Sequence, residues 1–178
     1  MAGDVVPECA HATRNEFLAT DKTPYHFSES GLSNVYLVGV KYSICDCGEK
    51  FVEIPAIKQL FSLMARNTVM KPEALTGAEI RFLRKRLGNK ATEFAEKVKL
   101  TPETLSRVEN DKQRVGKRSD SYIRIYYALA SRDSVLLDAI KETLDSVLGD
   151  HKAPAKKPPK TVAKIEHDEW AMATAAGA

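Results

Sequence analysis

The chain has few cysteines, no long apolar run and no secretion signal, and each absence excludes a class of protein. Its 178 residues include three cysteines, Cys9, Cys45 and Cys47, and an odd number with two so close together does not make a disulfide framework. No apolar run approaches membrane-spanning length, and the N-terminal letters MAGDVVPE lack the basic and apolar regions of a signal peptide. We therefore expect a cytoplasmic protein in a reducing compartment.

Motifs of catalysis are also missing. The sequence contains no Gly-x-Ser-x-Gly elbow, no phosphate-binding loop and no His-Glu-x-x-His helix. The segment Ser28–Gly31 holds two serines but does not meet the elbow pattern. We therefore expect a protein that is not an enzyme.

Basic residues are concentrated in one stretch of the chain. Between Gly77 and Arg118 there are 12 Lys or Arg against 6 Asp or Glu, whereas the rest of the chain holds 15 against 18. A local excess of positive charge suits a polyanion such as DNA, because displacement of counterions from phosphates drives binding. The alternative is a solvated, charged face on ordinary helices.

The signals of a short helix lie inside this basic stretch. Thr101 is a hydroxyl N-cap, Pro102 suits the first helical position, and Glu103 places an acid in the first turn. We expect this helix to run to about Asn110. Its inward side chains are Leu105 and Val108, and the residues left outward are Pro102, Glu103, Thr104, Ser106 and Arg107.

Further helices flank this one. A helix over Thr92–Val98 precedes it and buries Phe94, Ala95 and Val98. An earlier helix opens with the capping box formed by Thr76 and Glu79; we expect it to bury Ile80, Leu83 and Leu87 and to expose Arg81, Arg84, Lys85 and Arg86. Downstream, residues 122–130 close the core, and a helix over 134–148 either caps it or forms a dimer seam. We expect Glu109 to cap or pair inside the fold.

The whole sequence predicts an α+β fold in four parts. Residues 1–55 form a small β-rich, zinc-ribbon-like module, and residues 56–74 form a linking amphipathic helix. Residues 75–149 form a helix-turn-helix domain. Residues 150–178 change to Pro, Ala and Lys and are predicted to be a disordered tail, in which Trp170 belongs to an unstructured end rather than to a docking peptide.

The β-rich module has few large apolar side chains, so a metal staple is physically attractive. The candidate zinc ligands are Cys9, His11, Cys45 and Cys47, with His26 as a substitute. Each close pair is separated by one residue, whereas zinc knuckles prefer two to four. Two interpretations stay open: a zinc site, or buried or idle thiols.

The letters LTGAEIRFLRKRLG and EFAEKVKLTPETLSRVEN resemble the Cro and lambda-repressor-like helix-turn-helix family, in the version carried by MqsA-type antitoxins with an N-terminal zinc-binding segment. The upstream letters YHFSESGLSNVYLVGVKYSICDCGEKFVEIPAI also resemble that group. The resemblance implies that Lys112 and Arg114 contact the DNA backbone and that the recognition surface consists of Thr101, Pro102, Glu103, Thr104, Ser106 and Arg107. Lys90 stands where the family has a cap, and Asp111 stands where it has glycine.

The expected function is a transcriptional repressor that binds double-stranded DNA, most simply an autoregulating antitoxin of a type II toxin-antitoxin system. Arg107 is the candidate guanine contact, Thr104 and Ser106 offer hydrogen bonds, and Lys90 contacts phosphate together with the two backbone cations. One short helix reads few base pairs, so we expect a homodimer on a palindromic operator. The alternatives are a module that neutralises a partner toxin, with DNA binding secondary, and a stand-alone phage-type or plasmid-type regulator.

Overall fold

The computed structural model describes residues 14–143, 148–149, 152–154 and 159–173. The strands are β1 (Arg14–Leu18), β2 (Tyr25–His26), β3 (Val35–Val38), β4 (Lys41–Cys45), β5 (Lys50–Glu53), β6 (Thr161–Glu166) and β7 (Glu169–Ala173). The helices are α1 (Ile57–Met70), α2 (Gly77–Arg86), α3 (Ala91–Lys97), α4 (Pro102–Glu109), α5 (Lys117–Ser131) and α6 (Ser134–Glu142). The expected α+β class, with strands before a helical region, is confirmed.

The strands form two sheets. A three-stranded antiparallel sheet has the order β1-β4-β5, and a four-stranded sheet has the order β2-β3-β6-β7, in which β3 and β6 run parallel. Val35 and Leu37 are two residues apart on β3, so their side chains share one face of the sheet. Both are buried. Buried residues of the strands and of helices α1 to α6 belong to one hydrophobic core.

The predicted disordered tail is wrong for residues 161–173, which form the hairpin β6-β7. Strand β6 pairs with β3, and Ala163 is fully buried. Trp170 is also buried, and its indole N–H donates to the Pro55 carbonyl at 2.8 Å, so it does not belong to an unstructured end. The prediction failed because it relied on the Pro- and Lys-rich composition of the segment before Thr161. The strand that pairs with β6 is β3, which lies more than 120 residues earlier in the chain and is not indicated by local composition.

A close backbone approach joins the hairpin to the N-terminal strands. Gly39 follows β3 with a φ of 86°, and a Cβ added to it would lie 2.7 Å from the Ile165 carbonyl oxygen. Only glycine combines this backbone conformation with so short an approach.

Helix α1 confirms the amphipathic helix predicted after Pro55. It buries Leu60, Met64 and Val69 against the core, while Ile57 remains 42% exposed at its first turn. The segment that follows leads into the helix-turn-helix region, so α1 lies between the sheets and that region.

A buried ion pair attaches this linking segment to α5. Asp120 and Arg124 are each 1% exposed, and the Asp120 carboxylate also accepts a hydrogen bond from the Leu75 N–H at 2.6 Å. The Arg124 guanidinium donates to the carbonyls of Val69, Lys71 and Glu73. Three carbonyls and one carboxylate therefore surround this arginine, which satisfies its charge away from water.

Helix α6 is shorter than predicted over the part that the structure describes. It begins at Ser134 as expected but ends at Glu142, and Leu144 and Val147 lie outside the described residues. Leu136 and Ile140 are buried, so the helix covers the core, whereas Val135 is 56% exposed. No helix among the described residues has the length and apolar character needed to cross a membrane.

Candidate nucleic-acid interface

Helices α3 and α4 are joined by a tight turn that sets their relative position. Lys99 occupies the left-handed region with a φ of 56°, and the Leu100 N–H donates to the Ala95 carbonyl at 2.9 Å. Phe94, Ala95 and Leu105 are fully buried between the two helices and the rest of the domain. The predicted burial of the preceding helix, including Val98, is confirmed.

The start of α4 is capped as predicted. The Thr104 N–H donates to Thr101 Oγ1 at 3.1 Å, and the Thr101 hydroxyl donates to Thr104 Oγ1 at 3.0 Å. Pro102 occupies the first turn, where its missing N–H leaves no hydrogen bond unmade. The helix ends at Glu109 with Asn110 as its C-cap, in agreement with the expected end.

One face of α4 is buried and the other is exposed. Leu105 and Val108 are buried. The exposed side chains are Thr101, Pro102, Glu103, Ser106 and Arg107, while Thr104 is half-buried and hydrogen-bonded to Thr101. Five of the six side chains predicted for the recognition surface are therefore exposed.

The Glu109 carboxylate fastens α4 to α2. It is 7% exposed and accepts two hydrogen bonds from Arg84, from Nε at 2.7 Å and from Nη2 at 2.8 Å. Arg81 Nε lies 3.4 Å from the same carboxylate, and Arg81 Nη2 donates to Asn110 Oδ1 at 2.9 Å. The hydrogen bond to Glu109 raises the pKa of Arg84. The expected pairing of Glu109 inside the fold is confirmed.

This arrangement corrects the expected exposure of the α2 cations. Arg84 is only 13% exposed. Its bidentate contact with the Glu109 carboxylate holds α4 against α2 and leaves little of the guanidinium for any other ligand. Arg86 is half-buried, with its guanidinium 4.7 Å from the centre of the Phe61 ring. Of the four, Lys85 is exposed as predicted.

A second contact between α2 and the end of α4 was not foreseen from the sequence. Asp111 has a φ of 55°, and its Oδ1 accepts a hydrogen bond from the Gly77 N–H at 3.3 Å. A Cβ on Gly77 would lie 2.1 Å from the Val108 carbonyl oxygen. The sequence contains one indication of this unusual backbone, since Asp111 stands where a glycine is usual. It does not indicate that the Asp111 side chain contacts Gly77.

The candidate phosphate ligands lie on either side of the exposed α4 surface in the chain. Lys90 is exposed at the N-cap of α3, where its side chain makes no capping bond and its N–H donates to Glu93 Oε2 at 3.2 Å. Lys112 and Arg114 are exposed in the loop after α4. Arg118, exposed in the first turn of α5, is a further cation of the same basic stretch.

The candidate zinc ligands are only half described. Cys9 and His11 lie outside the described residues; Cys45 is buried at the end of β4, and Cys47 is exposed in the following turn. His26 belongs to the other sheet, and its Nε2 lies 2.9 Å from the Ser33 carbonyl oxygen. Among the described residues, no three His, Cys, Asp or Glu side chains are grouped so as to hold a metal ion. Zinc therefore stays a prediction.

Comparison with protein families identifies the helical region. A helix-turn-helix family model matches residues 80–118, which span most of α2, all of α3 and α4 and the start of α5. No curated protein and no solved structure matches the chain significantly. Residues 80–118 are a helix-turn-helix domain, which implies DNA binding and regulation of transcription and points to a regulator rather than an enzyme.

Proposed function

We propose that the protein is a sequence-specific transcriptional repressor whose helix α4 enters the major groove of double-stranded DNA. One observation carries the proposal: α4 is capped, packed on one side and fastened by Glu109, yet it exposes Glu103, Ser106 and Arg107 on the other. A helix held rigidly with polar side chains outward is what reading of base edges requires.

Each exposed side chain has a role that its chemistry favours. Arg107 contacts guanine, because its fork of donors matches the O6 and N7 acceptors of that base. Thr104 and Ser106 donate hydrogen bonds to bases or backbone, and Thr101, Pro102 and Glu103 line the same surface. The exposed cations Lys90, Lys112 and Arg114 contact phosphates, which adds affinity without sequence information.

The repressor acts as a homodimer on a palindromic operator. A single short recognition helix contacts few base pairs, and pairing of two helices across half-sites about 10 base pairs apart supplies the missing specificity. Tyr122 and Leu129 on α5 and Val135 on α6 are large apolar side chains left 44%, 63% and 56% exposed, which favours self-association through these helices. Light scattering that shows only the monomer mass, with and without operator DNA, would contradict the dimer.

The experiment is a salt-dependent titration of the protein with the DNA upstream of its own gene and with a shuffled duplex. We expect preferential binding to the upstream DNA, with the logarithm of affinity falling linearly with the logarithm of salt concentration. Replacement of Arg107 by Ala should weaken the specific site by about 1–3 kcal/mol and spare the shuffled duplex. Lys112→Ala is the control, since loss of a phosphate contact weakens both duplexes and lowers the salt slope by about 1.

Two results would reject this assignment. Equal affinity for upstream and shuffled DNA would remove the autoregulatory role. Equal losses on both duplexes after Arg107→Ala would assign Arg107 to the DNA backbone rather than to a base.

A second function is favoured by the surface of the three-stranded sheet. Phe17 and Leu18 on β1 are 44% and 57% exposed, the Phe17 ring stacks on Tyr42 with centroids 5.4 Å apart, and a groove of about 470 Å³ lies beside them. An aromatic groove of this kind suits a protein partner. We propose that the protein is an autoregulating antitoxin whose N-terminal region neutralises a toxin there.

Co-expression tests this second function. A small protein encoded beside this gene should co-purify with the wild type and not with the Phe17→Asp variant. The wild type and the variant should have the same affinity for upstream DNA. If the protein encoded by the neighbouring gene binds neither the wild type nor the variant, the antitoxin function is rejected. The remaining alternative is then a stand-alone regulator of phage or plasmid type.

Zinc would close the N-terminal region as a structural staple. Strand register supports the fit, because Arg14 lies opposite Cys45, so the chain enters β1 at the end of the sheet that carries the cysteines. His11 and Cys9 precede Arg14 by three and five residues, and they are the other two proposed ligands. Elemental analysis of chelator-washed protein that finds no metal and an intact fold would remove the site.

A further inference from the structure

The first turn of α4 differs from those of α2 and α3 in the position of its acidic residue. In α2 and α3 a glutamate stands three residues after the N-cap and folds back onto the N-cap backbone. Glu79 Oε2 accepts a hydrogen bond from the N-cap N–H of α2 at 2.7 Å, and Glu93 Oε2 accepts one from the N-cap N–H of α3 at 3.2 Å. In α4 that position holds Thr104, and the acid is Glu103, one residue earlier.

The Glu103 carboxylate is therefore not used by the cap of its own helix. The cap is the Thr101 hydroxyl, which accepts from the Thr104 N–H, and Pro102 holds the first helical position in place. Glu103 is exposed, and within the part of the chain that the structure describes it accepts no hydrogen bond and pairs with no cation. A fixed backbone thus presents a carboxylate whose acceptor oxygens are open to a ligand.

Arg107 lies on the same face of α4. It is four residues after Glu103 and is also exposed. Residues four apart share one face of a helix, and a rise of about 1.5 Å per residue separates them by about 6 Å along the axis. Base pairs are about 3.4 Å apart, so the two side chains reach bases about one or two base pairs apart. Glu103 only accepts hydrogen bonds and Arg107 only donates them.

A carboxylate distinguishes the bases in the major groove. Cytosine presents an N4 amino donor, whereas guanine presents only the N7 and O6 acceptors. Adenine presents a donor at N6, but in an A·T pair this donor lies between the adenine N7 and thymine O4 acceptors, which repel a carboxylate. Cytosine is therefore the base that an ionised glutamate favours.

We propose that Glu103 is a specificity-determining residue, which selects a cytosine about one or two base pairs from the guanine contacted by Arg107. The inference rests on the proposed function, because it names what α4 reads once the helix lies in the major groove. On other sequences the carboxylate loses water without gaining a donor and faces negative phosphates. Glu103 therefore also acts by weakening the binding of wrong DNA.

Selection from a library of randomised duplexes tests the inference with the full-length protein. The wild type should enrich a cytosine close to a guanine. Glu103→Gln should enrich adenine in place of that cytosine, because an amide pairs with N6 and N7 of adenine. Glu103→Ala should lose the preference at that position and keep the guanine. Glu96→Gln is the matched control, since it removes the same charge from an exposed position of α3 and should select the wild-type sequence.

Removal of one amino group from the DNA tests the contact itself. Pyrimidin-2-one in place of the selected cytosine lacks the 4-amino group. We expect about tenfold weaker binding by the wild type, within the range for a good contact between a side chain and a base. Glu103→Ala should lose much less, because its contact is already absent. Equal losses for the two proteins would overturn the proposal, since the amino group would then matter only within the base pair.

The selection experiment separates failure of this inference from failure of the repressor function. A wild type that enriches no sequence would reject sequence-specific binding and the inference with it. If Glu103→Gln still selected cytosine, only the inference would be overturned, and the Glu103 charge would serve the positive end of α4 alone. Loss of the guanine preference in Glu103→Ala would also overturn it, because Glu103 would then act by orienting Arg107. Circular dichroism should show the wild-type helix content in the Gln and Ala variants, since the side chain is exposed.

Discussion

The helix-turn-helix region and the four-stranded sheet are built from different kinds of information. In the helix-turn-helix region, the starts of α2 and α4 are each capped by residues close together in the sequence. Thr76 pairs with Glu79, and Thr101 pairs with Thr104, each three residues apart. The sheet is closed by partners far apart in the chain, as when the Asn34 side chain donates to the Pro159 carbonyl across 125 residues. The helical region is therefore specified by short sequence patterns and can be predicted from them. The four-stranded sheet, in contrast, forms only when the C-terminal strands pair with β3.

The same topology attaches the helical region at both of its ends. The chain leaves the sheets through α1 and comes back through residues 152–154, where the Ala74 N–H donates to the Lys152 carbonyl at 2.8 Å. The buried pair of Asp120 and Arg124 stands beside this junction and holds the linking segment to α5. Disruption of the junction should therefore affect both regions, while disruption within one should leave the other in place.

The largest effect is expected for Asp120→Ala. The change leaves the Arg124 charge buried without its carboxylate and removes the acceptor of the Leu75 N–H, which should lower the free energy of unfolding by about 3–5 kcal/mol. Urea denaturation followed by circular dichroism measures it. The double variant Asp120→Ala with Arg124→Met should recover part of the loss, because no unpaired charge remains; a double variant no more stable than the single one contradicts this account.

Trp170→Ala should come next, with an expected loss of about 3 kcal/mol from cavity formation under a nearly buried indole. Trp170→Phe is the matched control, since it keeps most of the apolar surface; it loses the hydrogen bond to Pro55, a cost of about 1 kcal/mol, and a smaller part of the ring contacts. Hydrogen exchange should show loss of protection in β6 and β7 and not in α3 and α4. Loss of protection in all four elements would break the distinction between the two regions.

Sequence reasoning succeeded where a local pattern decided the structure. The Thr101 cap, the Pro102 start and the burial of Leu105 and Val108 all follow from residues within one or two helical turns. Reasoning failed at Trp170, because its burial depends on a strand paired with β3 and on the Pro55 carbonyl, neither of which lies near it in the chain.

The candidate site was predictable in outline but not in its supports. The exposed face of α4 could be derived from helical spacing, including Arg107. The burial of Arg84 could not, since a basic residue on an amphipathic helix is ordinarily solvated and only the position of Glu109 on another helix changes that.

Gly77→Ala tests the contact inside the helical region. Because the new Cβ would lie 2.1 Å from the Val108 carbonyl oxygen, the ends of α2 and α4 must separate, at a cost of about 1–3 kcal/mol. Gly116→Ala is the control: its Cβ would meet nothing within 4 Å and its φ of −74° is ordinary, so we expect a loss smaller than that of Gly77→Ala, limited to the poorer fit of Ala at the N-cap of α5. Thermal unfolding compares the two, and equal melting temperatures would show that the α2–α4 contact is not tight.

The smallest effect is expected for Thr101→Ala, the removal of a purely local signal. The Thr104 N–H loses its acceptor and the Thr104 hydroxyl loses a donor, which should cost about 1 kcal/mol, in the usual range for an N-cap. Thr101→Ser keeps both hydrogen bonds and should stay close to wild type in urea denaturation. Because α4 is also fastened at its other end by Glu109 and packed through Leu105, the helix should persist in the Ala variant and only its first turn should fray. If the Ser and Ala variants lost the same stability, the hydroxyl would not be the cap, and the local specification of α4 would have to come from Pro102 and its packing.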